Sequence, residues 1–316
     1  MTNEKPVLLI GYNRPDLITR VLDSLLDLPI SKLYISIDGP KSLSDLEKVK
    51  SVQKVILVHQ FSRNQKYRFM QQNLGCKYHV LDSLKWFFDF EAEGIILEDD
   101  CLPDVSFYNF CKSSLDLYRN VPEILMITGT NFDLKKYQQP ISMFSIFPHV
   151  WGWASWKDRV ENYLREVENP EITSPIKAIK NTRGLGIINS FYWALISLNM
   201  KFNKIDTWDY QLALYSFKNR MLTLVSPINL IENIGFNSES TNFFFKANKY
   251  ISQKRGTLHR TDNIFMTPVK NKEYDRNFTR KVIRSSKLRT LFKPLCTLII
   301  PKKIVPMLKT QIRKFV

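Results

Sequence analysis

The sequence predicts an α/β fold in which a mostly parallel sheet carries helices on both faces. Short, continuous apolar runs, which are typical of strands buried on both faces, alternate with stretches of helical periodicity from residue 6 to about residue 130. Hydrophobic residues make up 44% of the 316-residue chain, and they suffice for a sizeable core. This composition excludes a disordered chain.

Five strands are predicted along this part of the chain, each a short run rich in Val, Ile and Leu. They are residues 6–11 (PVLLIG), 32–38 (KLYISID), 54–59 (KVILVH), 94–97 (GIIL) and 124–128 (ILMIT). Apolar residues at spacings of three and four predict helices over residues 15–28 and 76–90. A further helix is expected to begin after Asp206 or Thr207, within an aromatic-rich region of less regular pattern.

Polar clusters follow three of the predicted strands. They are residues 12–14 (YNR), 38–40 (DGP) and 98–100 (EDD). In open α/β sheets, ligands bind outside the carboxyl ends of the strands. We therefore expect the three clusters to converge on one crevice.

The acidic cluster Glu98-Asp99-Asp100 is the strongest candidate for a metal or donor site. Side chains alternate along a strand end, so Glu98 and Asp100 can share one side while Asp99 faces the other. Adjacent carboxylates near a core repel one another unless a cation or hydrogen-bond donors compensate them. Mg²⁺ and Mn²⁺ prefer oxygen ligands and commonly use one or two carboxylates together with substrate phosphates. The alternative is a solvated acidic turn that caps the next helix.

Taken together, four motifs resemble those of GT-A fold glycosyltransferases. The motifs are PVLLIGYNRP at residues 6–15, ISIDGP at 35–40, NLGC at 73–76 and IILEDDC at 95–101. Within that group the chain is similar to bacterial nucleotide-diphospho-sugar transferases that are related to the N-acetylglucosaminyltransferase I family. The resemblance covers residues 6–245, so we expect a GT-A catalytic domain over 1–245 and a basic extension over 246–316.

The resemblance also implies roles for individual residues. Asp100 would bind the metal, Asp99 would face the donor ribose, and Glu98 would contact the donor sugar. Asp38 would recognise the base and ribose, and Arg14 would lie beside the diphosphate. Asp38 could instead end its strand in an Asp-Gly-Pro turn, and Arg14 could be a surface residue at a helix start. Residues 73–76 could likewise be an ordinary loop.

Asp209 matches the family's catalytic base, a carboxylate near the start of a late helix. A carboxylate that faces a desolvated cleft can have a raised pKa and accept the proton of the acceptor hydroxyl. The helix N-terminus favours the negative charge and acts on the pKa in the opposite direction. The alternative is helix capping by Asp206 with Asp209 in the first turn.

Three further features remain open at the level of sequence. Trp151-Gly152-Trp153 is either core packing or a platform for an acceptor sugar, and His149 beside it is expected to be structural. Relatives often have Gly-Phe followed by Thr-His, whereas this chain has Asn242 in place of the histidine. We therefore predict no histidine ligand.

The function implied is an inverting, metal-dependent transfer from a UDP- or GDP-linked sugar to an acceptor hydroxyl. The acceptor would be a glycan or lipid-linked glycan in lipopolysaccharide, capsule or other envelope glycan synthesis. The alternative is an inactive GT-A body that binds glycan or membrane. A nucleotidyltransferase would have a glycine-rich basic loop after the first strand, and residues 11–15 are not one.

The formal charge of +16 is concentrated at the C-terminal end. Twelve cations and no acidic residue follow Asp275. They are interspersed with apolar residues, so we expect short basic amphipathic helices that bind an anionic membrane surface, and no nucleic acid. The alternative is a solvated or packed tail.

Four cysteines without metal-ligand spacing, no signal peptide and no long apolar run indicate a cytoplasmic protein, peripheral on the inner face of the membrane.

Overall fold

A computed structural model describes residues 4–59, 64–132, 141–167, 174–205, 207–235, 254–259 and 267–283. The strands are β1 (Val7–Gly11), β2 (Leu33–Ile37), β3 (Gln65–Phe69), β4 (Glu93–Glu98), β5 (Cys101–Pro103), β6 (Ile124–Thr128), β7 (Met143–Ser145), β8 (Trp153–Trp156), β9 (Leu222–Val225) and β10 (Ile231–Asn233). The α-helices are α1 (Pro15–Leu25), α2 (Leu43–Val58), α3 (Gly75–Phe90), α4 (Val105–Tyr118), α5 (Lys157–Val167), α6 (Pro175–Thr182), α7 (Ile187–Lys201), α8 (Trp208–Asn219) and α9 (Lys272–Phe278). A 3₁₀ turn (Arg183–Leu185) precedes α7, and a π-helical turn (Thr279–Ile283) follows α9.

Eight of these strands form one mixed, mostly parallel sheet in the order β3-β2-β1-β4-β8-β6-β9-β7. The pairs β1–β2, β2–β3, β1–β4 and β6–β9 are parallel, whereas β8 and β7 run antiparallel to their neighbours. Strands β5 and β10 form a separate antiparallel pair. The chain moves outward from β1 in one direction to β2 and β3, and in the other to β4. The boundary between β1 and β4 is therefore the topological switch point.

Helices cover both faces of the sheet, as the sequence predicts. Along β1, Val7 and Leu9 point into one core cluster with residues of α1, α2 and α4. Leu8 and Ile10 point into a second cluster with residues of α3, α5, α6, α7 and α8. This alternation explains why β1 is apolar throughout, since each of its faces is buried.

The predicted strand over residues 54–59 is wrong, because residues 54–58 form the last part of α2. Ser42 caps this helix by accepting a hydrogen bond from the Asp45 amide at 3.3 Å. Val49, Val52 and Ile56 are buried at helical spacings of three and four. A short apolar run cannot by itself distinguish a strand from a buried helix segment. Here the upstream helix cap and the helical spacing of the buried residues show that the segment is helical.

The third strand of the sheet is instead β3, which has the polar sequence QKYRF. Among the described strands it lies at the edge of the sheet and pairs with β2 alone. Edge strands tolerate exposed charged residues such as Lys66, which discourage pairing with other chains. An apolar-run criterion therefore misses β3.

Two described segments beyond residue 245 pack on the body. The Leu258 amide donates to the Ser106 hydroxyl at 2.9 Å, and the buried Asp275 accepts a hydrogen bond from Ser145 at 2.7 Å. Phe278 packs its ring on Phe147 at a centroid distance of 4.8 Å. The packed body therefore includes these segments, while a division at residue 245 stays a prediction.

Most of the basic tail, residues 284–316, lies outside the described residues. Among the helices that are described, none is long and apolar enough to cross a membrane.

Candidate active site

The carboxyl ends of β1 and β4 lie side by side at the switch point. Ile10 is opposite Glu98 in the parallel register, and the Asp99 amide donates to the Ile10 carbonyl at 2.9 Å. Residues 12–14 leave β1 at the same level at which Glu98-Asp99-Asp100 leave β4. Two of the three predicted polar clusters therefore meet.

Arg14 joins these two clusters through a forked ion pair. Its Nη1 donates to Asp100 Oδ2 at 2.9 Å, and its Nη2 donates to Asp99 Oδ1. The Tyr12 amide donates to the other oxygen of Asp99 at 3.2 Å. The side chain of Asp99 is 3% exposed, whereas that of Arg14 is 36% exposed and that of Asp100 is 15% exposed. Asp99 is therefore an internal partner, and Arg14 and Asp100 remain accessible.

Negative charge exceeds positive charge in this cluster, because one guanidinium faces three carboxyl groups. Burial, with Asp100 and Asp99 nearby, raises the pKa of Glu98 to about 8. Burial also raises the pKa of Asp99 to about 6, although Arg14 opposes the change. Burial lowers the pKa of Arg14, but the neighbouring carboxylates outweigh it and raise that pKa overall. The site therefore favours a further cation or a retained proton.

Gly235, which follows β10, lies directly against Asp100. The Ile234 amide donates to the Asp100 carbonyl at 2.8 Å, and a Cβ added at Gly235 would lie 2.3 Å from Asp100 Oδ2. Sequence reasoning noted the Gly235-Phe236 pair only as a family motif and did not place it at the site. Asn242, which follows it, lies outside the described residues.

Asp38 holds a loop at the carboxyl end of β2, and its amide donates to the Gly11 carbonyl at the end of β1 at 3.0 Å. Its carboxylate is buried and accepts hydrogen bonds from Asn73 Nδ2 at 3.0 Å, the Leu74 amide at 2.8 Å and the Gly75 amide at 3.0 Å. Gly75 has φ of +79°, which favours glycine. The predicted Asp-Gly-Pro and Asn-Leu-Gly-Cys motifs are thus one structural unit at the carboxyl end of β2.

Asp209 lies in the first turn of α8, as the sequence predicts. Its Oδ1 accepts hydrogen bonds from the Thr207 hydroxyl and from the Tyr210 amide, the latter at 2.9 Å. Burial raises the pKa of Asp209 to about 6. Asp209 in turn contributes to the raised pKa of Glu98, which means that the two carboxyl groups interact electrostatically. Asp206, which the alternative interpretation makes the helix cap, lies outside the described residues.

A tyrosine pair beside Asp209 is a feature that sequence reasoning missed. The hydroxyls of Tyr192, on α7, and Tyr210, on α8, lie 3.4 Å apart. Burial and the charge of Asp209 both raise the pKa of Tyr192, which reaches about 12. The two tyrosines are 18 residues apart on different helices, so no local motif indicates the pair.

The Trp151-Gly152-Trp153 segment has two different roles. Trp153 is 3% exposed and packs on Trp208 within the core. Trp151 is only partly buried, with its ring 5.5 Å from that of Phe132. Gly152 has φ of +64°, and a Cβ there would lie 2.4 Å from the Ile231 side chain. Core packing accounts for Trp153, whereas Trp151 is partly buried and packs at the border of the core.

His149 has a structural role among the described residues. It is buried, and its Nε2 lies 3.1 Å from the Tyr274 hydroxyl. Burial lowers the pKa of His149 to about 3, which keeps the ring neutral.

The carboxylate cluster fits a divalent cation only with help from a ligand. Across the described part of the chain, no group of three or more His, Cys, Asp or Glu residues is placed to hold a metal ion. Within the described part of the chain, however, Asp100 Oδ1 makes only long contacts of 3.5 Å, with Cys101 Sγ and Asn233 Nδ2. One such carboxylate suits Mg²⁺ or Mn²⁺ when phosphate and water oxygens complete the coordination.

A separate concavity lies between α5 and α8 near Pro122, which precedes the amino end of β6. Its only acidic residue, Glu166, forms an ion pair with Lys218. It is at the opposite end of the sheet from the carboxylate cluster, so we place no chemistry there.

No protein-family model matches the chain, and a search of curated proteins finds no match.

Proposed function

We propose that this protein is a GT-A type glycosyltransferase that moves a sugar from a UDP- or GDP-linked donor to an acceptor hydroxyl. The observation that carries the proposal is the Arg14–Asp99–Asp100 cluster at the switch point between β1 and β4. A ligand-binding crevice is expected at that point in an open α/β sheet. Two of the motifs that resemble the GT-A family, residues 6–15 and 95–101, meet at this point, and the other two lie at the carboxyl end of the neighbouring β2.

The donor side would use the accessible members of this cluster. Arg14 presents a planar fork of donors that suits phosphate oxygens, and its side chain is 36% exposed. Asp100 would hold Mn²⁺ or Mg²⁺ with the donor diphosphate. A bound cation would neutralise the charge that develops on the leaving diphosphate. Asp99 would orient Arg14 and face the ribose.

The remaining donor contacts would come from Glu98 and from the loop that Asp38 holds. Glu98 ends β4 beside the cluster and would contact the donor sugar. Asp38 would act on the base and ribose, and its hydrogen bonds to residues 73–75 fix the loop that borders the carboxyl end of β2.

The acceptor side would be built around Asp209. As the bond from the acceptor oxygen to the anomeric carbon forms and the bond to the diphosphate breaks, the Asp209 carboxylate would accept the hydroxyl proton. With its pKa raised to about 6, Asp209 is mostly ionised at neutral pH and still a competent base. Attack from the side opposite the diphosphate inverts the anomeric centre.

The biological setting is proposed from the sequence. A glycan or lipid-linked glycan acceptor, as in envelope polysaccharide assembly, would be reached from the cytoplasmic face of a membrane. The basic residues after Asp275 would attract the protein to anionic lipid. Apart from residues 276–283, that segment lies outside the described residues.

The direct test is a screen of the purified full-length protein for hydrolysis of UDP- and GDP-sugars in the presence of Mn²⁺ or Mg²⁺. We expect one donor to be cleaved, and EDTA to stop the reaction. No cleavage of any donor, together with tight glycan binding, would favour the inactive GT-A body instead.

A further inference from the structure

Helix α7 has an unusual distribution of polar and apolar residues. Its inward face includes four polar residues that are at least 94% buried: Asn189, Ser190, Ser197 and Asn199. Backbone carbonyls of the same hairpin satisfy several of these groups; for example, Ser190 Oγ donates to the Thr182 carbonyl at 3.0 Å. A helix that only needed to fold against this core would bury its apolar residues and expose these polar ones.

The outward face of α7 is instead a continuous apolar stripe. Five apolar residues follow one another along this face at spacings of three and four: Ile187, Phe191, Leu195, Leu198 and Phe202. We call this set the outer stripe. Ile187 is 76% exposed, Phe191 is 53% exposed and Phe202 is 57% exposed. None of the five belongs to the two large core clusters or packs against them. Leu195 and Leu198 are half-buried between them, so Ile187, Phe191 and Phe202 form the exposed part of the stripe among the described residues. The 15 residues of α7 span about 22 Å at 1.5 Å per residue.

The surroundings of the outer stripe are positively charged. Between Ser174 and Ile205 the chain has five cations and no acidic residue. Arg183 is exposed in the turn before the stripe, and Lys201 is exposed beside its end. Lys180 on α6 is also exposed. An apolar stripe with cations at its borders fits an anionic bilayer interface, in which apolar side chains enter the acyl boundary and cations meet lipid phosphates.

We propose that the outer stripe of α7 docks the protein on an anionic lipid bilayer. A second copy of the same surface is a poorer occupant, since two basic faces repel one another. The chain's own C-terminal segment is disfavoured on the same ground, because residues 276–316 contain twelve cations and no acidic residue. The proposal does not depend on transferase activity. Docking through α7 is nevertheless compatible with transferase activity, because Tyr192 on α7 contacts Tyr210 beside Asp209.

The test is flotation of the full-length protein with vesicles of phosphatidylcholine and phosphatidylglycerol, or of phosphatidylcholine alone. The variant Ile187→Ser/Phe191→Ser removes two exposed members of the stripe. The matched control is Leu43→Ser/Leu57→Ser on α2, whose side chains are similarly exposed, at 86% and 57%, on the other side of the sheet. A third variant, Lys180→Gln/Arg183→Gln, changes only charge.

We expect the wild-type protein and the α2 control to float with anionic vesicles only. The stripe variant should bind at least about tenfold more weakly, which corresponds to about 1.4 kcal/mol. The charge variant should lose roughly tenfold, and high salt should reduce binding further. If circular dichroism shows that the stripe variant does not fold, vesicle binding by the charge variant tests the proposal instead.

Three results would overturn the proposal. One is failure of the wild-type protein to float with either vesicle. Another is equal binding by the wild-type protein and all variants, which would place the contact elsewhere, for example in the C-terminal segment. The third is a solution dimer that the stripe variant disrupts without any change in vesicle binding, which would make the stripe an interface between copies.

Discussion

At the scale of residues, the adjacent carboxylates Asp99 and Asp100 have different roles because they differ in burial and in hydrogen-bond partners. Asp99 is 3% exposed and accepts hydrogen bonds from Arg14 and the Tyr12 amide. Asp100 is more exposed, and one of its oxygens has only long contacts. Asp100 is thus the carboxylate that can still accept a ligand, and Asp99 is the one that fixes Arg14.

For this reason, Asp100→Ala is expected to abolish sugar transfer while the protein stays folded. The matched control is Asp104→Ala, four residues along, where the carboxylate caps α4 by accepting from the Ser106 amide at 2.9 Å. The control should lose about 1 kcal/mol of stability and keep its activity. Transfer assays with and without EDTA, beside urea denaturation, measure both effects. Full activity of Asp100→Ala, or of the wild-type protein in EDTA, would contradict the metal mechanism.

The Asp209→Asn variant keeps the size of the side chain but cannot accept a proton. We expect turnover to fall by about 10²-fold or more, with donor affinity little changed. Asp275→Asn is the matched control, because Asp275 is likewise a carboxyl in a first helical turn whose pKa is raised by burial to about 6. Steady-state kinetics on both variants make the comparison. Similar losses in turnover would show that the effect is structural.

The pH dependence follows from the raised pKa of Asp209. A base must be ionised, so turnover of the wild-type protein should rise as the pH increases through about 6 and level off above it. Stability has the opposite dependence. The folded state holds the proton more tightly than the unfolded state, so the contribution of this group to stability is lost as the pH rises from about 4 to about 6. A turnover profile that is flat between pH 5 and 7 would exclude Asp209 as the base.

At the scale of elements, the end of β10 supports the acidic cluster from the side. Gly235→Ala would place a Cβ 2.3 Å from Asp100 Oδ2, so either the carboxylate or the backbone must move. We expect a loss of roughly tenfold or more in transfer activity, because displacements of about 1 Å at a site are costly. The control is Gly184→Ala, where a Cβ would meet no atom within 4 Å. Equal activity of the two variants in the same assay would contradict this placement of Gly235.

The same scale shows which elements can be predicted from a sequence. The buried parallel strand β1 is apolar throughout and β4 is apolar over residues 94–97, so their runs are visible, and the polar residues at their ends indicate the candidate site. The edge strand β3 has no such run, and residues 54–58 have one although they are helical. The pairing of Tyr192 with Tyr210, and the approach of Gly235 to Asp100, depend on long-range packing that no local pattern encodes.

At the scale of the whole molecule, described residues from beyond the predicted boundary at residue 245 pack on the body. Tyr274 in α9 is 1% exposed, and its hydroxyl contacts both His149 and the Phe132 amide. Composition alone marked this region as an extension, because its charge conceals the few buried residues that attach it to the body.

Tyr274→Ala should therefore lower the free energy of unfolding by about 3 kcal/mol, the cost expected for removing a buried aromatic ring. Tyr78→Ala, at a tyrosine that is 57% exposed, is the control and should change stability by less than about 1 kcal/mol. Urea denaturation of both variants at pH 7 gives the comparison. Equal stabilities would mean that α9 contributes little to the fold.

The central claim is that the carboxyl ends of β1 and β4 bind a nucleoside diphosphate together with a divalent cation. Calorimetric titration of UDP and of GDP into the full-length protein, with Mn²⁺ or with EDTA, tests it most directly. We expect one nucleotide to bind in the presence of Mn²⁺, EDTA or Asp100→Ala to weaken this binding at least tenfold, and Asp104→Ala to leave it unchanged. Binding of neither nucleotide, or binding that neither EDTA nor Asp100→Ala affects, would contradict it.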